Sequence, residues 1–190
     1  MVMGSVLRRL AGQPLLFGQI GFALGLLACF AIKPQFLRSE GGFSNYGVTA
    51  ATIPFFTFAF LSAAIGTFVA AQRIVGRSWL KWSLRILAAL FFLVLASTYP
   101  YKLNSFYDIL HQDVSIALLV YGIGLGAWLV IKRHDWQNIV LFGVQFGASV
   151  TAYVTFLGFI HLLFVSQFVA GLAFSALLVR ATSQLLREQS

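Results

Sequence analysis

The chain has 190 residues, of which 59% are hydrophobic and only 9% charged. A soluble domain carries near ~25% charged residues, so this composition excludes one. Six spans of about 20 residues take up roughly 120 positions and leave no room for a separate aqueous module. The net charge of +8 does not point to nucleic acid, because the basic residues flank apolar runs, a placement that membrane topology and anionic lipid explain.

Taken in chain order, the first apolar run predicts a span over residues 14–32. Pro14 is expected in its first turn, where the missing N–H has no partner, and Lys33-Pro34 ends it. Cys29 is the single cysteine, which rules out an intramolecular disulfide or a cysteine metal cluster. Leu26-Leu27-Ala28-Cys29 faintly matches a lipoprotein processing box. The run from Leu15 to Ile32 exceeds a typical signal-peptide core, however, so an uncleaved first helix is expected.

An outer loop follows at residues 35–47, with Arg38, Glu40, Gly41, Gly42 and Asn45 supplying turn chemistry. Span two covers 48–71, and Pro54 is expected to bend its outer third. The basic inner loop 72–81 leads to span three at 82–98. Trp79 and Trp82 stand at its inner end and Tyr99 and Tyr101 at its outer end, as amphipathic aromatics do at headgroup level. After the polar gap 99–112 comes span four at 113–131, then the inner turn Lys132-Arg133-His134-Asp135. Spans five and six, at 136–156 and 160–179, are expected to form a hairpin turning near Gly158.

The basic residues sort unevenly among these gaps. Arg8, Arg9, Arg73, Arg77, Lys81, Arg85, Lys132, Arg133, Arg180 and Arg187 fall on one side, and only Lys33, Arg38 and Lys102 on the other. Basic clusters beside a span resist translocation. The expected fold is therefore an all-α, six-transmembrane-helix bundle with both termini cytoplasmic, placed in a bacterial inner membrane or its equivalent.

Gly21 and Gly25, Gly122 and Gly126, and Gly143 and Gly147 each repeat at four residues, which puts two glycines on one helix face. Packing within the bundle is the expected use, with homo-oligomerisation as the alternative. All five acids, Glu40, Asp108, Asp113, Asp135 and Glu188, lie in loops or at span ends. Ion-coupled carriers use ionisable groups at depth, so coupled transport loses ground. A retinal protein is also disfavoured, since the final span has no lysine.

The most site-like residues are outer ones. Asp108, His111 and Ser115 share a face if span four begins early, and His161 opens span six on the same side. Asp108, His111 and His161 are thus candidate catalytic residues, either as metal ligands activating water or as a His–Asp general base. The plainer reading has Asp108 favouring a helix amino terminus and the histidines in structural roles. No established metal or hydrolase motif accompanies them, and no metal or cofactor is expected. Within the membrane, Gln145 and Gln167 are expected to bond each other across the hairpin or to line a small polar cavity. Arg73, Arg77, Lys81 and Arg85 are candidates for binding a lipid headgroup.

The layout resembles the six-span proteins of the DRAM and Sfk group and related bacterial families. The shared points are the outer segment Glu40-Gly41-Gly42-Phe43-Ser44-Asn45 and the outer Asn104 and His111 before an apolar helix. The resemblance implies a compact six-helix membrane protein linked to lipid organisation or remodelling. Seven-span hydrolases with a three-histidine zinc site match less well, since this chain has six spans and two outer histidines. The leading expectation is a non-enzymatic, lipid-interacting or regulatory membrane component with membrane lipids as its partners. An outer-face enzyme acting on lipid headgroups and a passive small-solute transporter are the alternatives.

Overall fold

The computed structural model describes residues 2–38, 42–74, 78–99, 105–156 and 162–188. His161, Arg77, Glu40 and the turn near Gly158 lie outside the described residues. The chain forms α1 (Val2–Ile32), a 3₁₀ segment (Pro34–Arg38), the one-turn α2 (Ser44–Gly47), α3 (Ile53–Arg73), α4 (Trp79–Thr98), α5 (Phe106–Lys132), α6 (Trp136–Phe156) and α7 (Leu163–Glu188). Six of these helices are long and apolar enough to cross a membrane. No strand occurs among the described residues, as expected where hydrocarbon leaves each backbone group to be satisfied within its own helix.

The helix boundaries move two prolines from their expected places. Pro14 lies inside α1, which starts at Val2, so the helix extends well before the apolar run. Its 31 residues make a rod of about 46 Å at the usual rise, longer than a bilayer core. Pro54 does not bend a helix, because α3 starts at Ile53 and the ring occupies the first turn, where no N–H is missed. The α4 start is capped, with Ser78 Oγ accepting from Lys81 N–H at 3.2 Å.

The centre of the bundle is built on α1, α3, α4 and α7. Phe22 of α1 meets Phe60 of α3 and Phe91 of α4 with ring centroids 5.5 and 5.7 Å apart. The α1–α3 seam is the tightest. A methyl group on Gly18 would sit 2.6 Å from Ser62 O and 2.8 Å from Gly66 Cα, and one on Gly25 would meet Phe55 O at 2.7 Å. The absence of side chains lets these backbones touch. By contrast, α5 and α6 bury only 22% and 28% of their apolar windows, against 50% for α4 and α7. They form the periphery.

Successive helices run antiparallel, so the bundle has two chemically different ends. One gathers the end of α3, the start of α4, the α5–α6 turn and the end of α7. The other gathers the end of α1, α2, the end of α4 and the start of α5.

Candidate functional site

The first end is basic and rich in tryptophan. Arg73, Lys81, Arg85, Lys132, Arg133 and Arg180 belong to its elements, and so do all four tryptophans. Trp79 and Trp128 bring α4 and α5 together with ring centroids 4.1 Å apart. Trp79, Trp82 and Trp136 are exposed. Arg85 is held in place: its Nη2 donates to Gln72 Oε1 at 3.1 Å and its guanidinium lies 4.8 Å from the Trp82 ring centroid. Of the expected headgroup residues, Arg73, Lys81 and Arg85 therefore share this end. Trp128 joins it through that ring contact, and Trp136 stands at the first position of α6.

The α5–α6 turn forms a second polar layer here. Asp135 caps α6 by accepting from Asn138 N–H at 2.9 Å and also accepts from Gln184 Nε2 of α7 at 2.8 Å. Arg180 adds a half-exposed ion pair at 3.5 Å. The Asn138 N–H bond and then the Gln184 amide hold the Asp135 carboxyl below the usual carboxylate range. An open cleft of about 180 Å³ lies among Lys132, Arg133, His134, Asp135 and Gln184.

The opposite end is organised around His111. With α5 starting at Phe106, Asp108 and His111 fall one turn apart on a helix and both are buried, at 6% and 5% exposure. Asp108 Oδ1 accepts from Gln112 Nε2 at 2.8 Å. The partners of His111 include three hydroxyls that its sequence neighbourhood does not reveal. Ser97 Oγ and Thr98 Oγ1 at the end of α4 each lie 3.2 Å from Nδ1, and Ser44 Oγ of α2 lies 2.6 Å from Nε2.

The network assigns the tautomer. Ser97 and Thr98 donate their hydroxyl protons to Val94 O at 3.0 and 2.7 Å, so toward His111 they act as acceptors. Nδ1 therefore carries the ring proton, and Nε2 accepts from the Ser44 hydroxyl.

Ser44 is held there by the segment around it. Gly42 has φ of +54°, and a methyl group on it would run into the Gln167 carboxamide. The oxygen of that carboxamide accepts from Phe43 N–H at 3.0 Å. Tyr46 is fully buried and donates to Lys33 O at 3.2 Å. Burial pushes its phenol up to about 12, so it stays protonated at neutral pH. Thr52 Oγ1 donates to Tyr46 O at 2.7 Å and pins the segment to the start of α3.

Gln145 and Gln167 do not bond each other. Gln167 serves Phe43, whereas Gln145 fills the space that Gly122 and Gly126 leave on α5. Among the described residues, no group of three His, Cys, Asp or Glu side chains converges to hold a metal ion. Comparison with family models, characterised proteins and solved structures finds no significant match to this chain.

Proposed function

We propose that this chain is a lipid-interacting component of a bacterial-type inner membrane, with the basic end of the bundle in the cytoplasmic leaflet. The observation that carries the reading is the convergence of all four tryptophans with six basic side chains on one end. Amphipathic rings favour the headgroup level, and anionic lipid attracts Lys and Arg just beyond it. Arg85 stacked near Trp82 is ordered in advance, which lowers the entropy lost when a headgroup phosphate is bound. The six-span layout is compatible with this reading.

The test is competitive lipid retention in nanodiscs containing phosphatidylglycerol and phosphatidylcholine, read by native mass spectrometry. Wild type should retain phosphatidylglycerol preferentially, and less so at high salt. Removing Arg73, Lys81 and Lys132 as glutamines should weaken that preference by roughly fivefold per charge, from about 1 kcal/mol for each basic residue at the surface. Equal retention of the two lipids by wild type would sink the reading. Orientation is tested separately. Cys29 is buried, so a cysteine at Gln137 should react only with reagent on the cytoplasmic side.

A further inference from the structure

At the other end, the arrangement around His111 has the parts of a hydrolytic pair. We propose that Ser44 is a nucleophile and His111 its general base, acting on carboxylic esters of membrane lipids. This activity is independent of the headgroup contacts at the basic end.

Three observations support it. The Ser44 Oγ to His111 Nε2 distance is 2.6 Å, within reach for transfer of the hydroxyl proton. The ring is oriented from behind, because Ser97 and Thr98 fix the proton on Nδ1 and leave the Nε2 lone pair directed at Ser44. A third group that sets the tautomer of the base is the general requirement of such a pair. Finally, Asp108 lies one turn from His111 on the same helix and is buried with it.

The substrate class follows from position. Ser44 lies at the end of the bundle on a half-buried turn, and Val48 four residues on and Phe106 and Tyr107 at the start of α5 are exposed. The ends of membrane-spanning helices face the region where the acyl esters of a phospholipid meet water.

In the reaction, Ser44 Oγ bonds to the ester carbonyl carbon as its proton passes to His111 Nε2. Collapse of the adduct breaks the bond to the leaving alkoxide, which takes that proton and departs as an alcohol. Water then gives a proton to Nε2 and its oxygen bonds to the acyl carbon. The Ser44 ester breaks, and Ser44 regains the proton from Nε2. The sum is ester plus water giving carboxylic acid plus alcohol, with nothing oxidised or reduced.

The test uses the full chain in nanodiscs and an alkyl fluorophosphonate, with the adduct located by peptide mass spectrometry. Wild type should be labelled on Ser44, and His111→Gln should slow labelling at least a hundredfold while the thermal transition persists. Ser44→Ala should lose the adduct and release no fatty acid from phosphatidylglycerol, whereas wild type releases it. Folded wild type that stays unlabelled would overturn the proposal and leave the pair as a tie between α2 and the bundle. Labelling of Ser44 that is equally fast in His111→Gln would overturn it too. Neither result bears on lipid retention at the basic end.

Discussion

Gln19 on the first helix and Ser175 on the last are joined by a 2.7 Å hydrogen bond across 156 positions of sequence. The same carboxamide donates through Nε2 to Thr67 of α3 at 3.3 Å. One buried side chain thus ties α1, α3 and α7 together, with both ends of its amide engaged. In a bundle whose lipid-facing and inward surfaces are equally apolar, hydrophobicity cannot choose which helix faces meet. A bond that forms in only one arrangement can.

Replacing Gln19 with leucine should therefore destabilise the bundle by about 1–2 kcal/mol, since single interhelical bonds in membrane proteins average ~0.6 and reach ~1.7. The measurement is reversible unfolding in mixed micelles titrated with denaturing detergent. Thr67 and Ser175 can turn their hydroxyls to their own helix carbonyls, which keeps the loss modest. A loss beyond about 4 kcal/mol would mean that the site orders more of the fold than two bonds explain.

The glycines separate by what stands opposite them. A methyl group on Gly66 would meet Pro14 O at 2.5 Å and Gly18 Cα at 2.6 Å, both backbone atoms that no rotamer change can move. Around Gly143 there is nothing within 4 Å. Gly66→Ala should cost about 1–3 kcal/mol, the usual range for overpacking, while Gly143→Ala should stay within about 0.5. The same detergent titration checks both, and similar effects at the two sites would contradict the packing described.

These glycines also show how far the sequence could be read. The six spans were legible because an apolar run of about 20 residues has few other uses. Gly21 and Gly25 do serve the close α1–α3 approach, against Ser62 and Ala59. Gly122 and Gly126 have identical spacing, yet they accommodate the side chain of Gln145 instead of a neighbouring backbone. Spacing identifies a face without naming what lies against it. The His111 site was half legible for a similar reason. Histidine and aspartate stand out in an apolar chain, whereas Ser44, Ser97 and Thr98 are residue types found throughout spans and loops. Their convergence depends on three separate elements meeting at one end of the bundle.

Gln145 offers a different kind of test. It is 3% exposed, and its buried Oε1 has no hydrogen-bond partner among the described residues. Leaving such an acceptor unsatisfied costs about 1–3 kcal/mol. Gln145→Met keeps nearly the same length and removes the amide, so stability should be unchanged or should rise by about 1 kcal/mol. A loss of that size instead would show that the carboxamide has a partner. If the residue lined a solute path, the variant would also alter efflux from vesicles; no change is expected.

Asp135 links the α6 start to α7 through bonds that need its charge or its oxygens, and it titrates outside the membrane helices. Its folded pKa lies below the usual carboxylate value, chiefly through the Asn138 N–H bond and then the Gln184 amide. A depressed folded pKa means that the unfolded chain takes up the proton first as the solution is acidified. The contribution is therefore complete above the ordinary Asp value of about 3.9 and is lost as pH falls through it toward the lower folded value. Asp135→Asn keeps a good helix cap but carries no charge at any pH. The thermal midpoint of wild type should exceed that of Asp135→Asn at pH 6, and the two should converge as acidification protonates folded Asp135. The two proteins differ only in the group at position 135, so the difference between the curves reports its charge. A difference that stays constant with pH would assign the stabilisation to geometry alone.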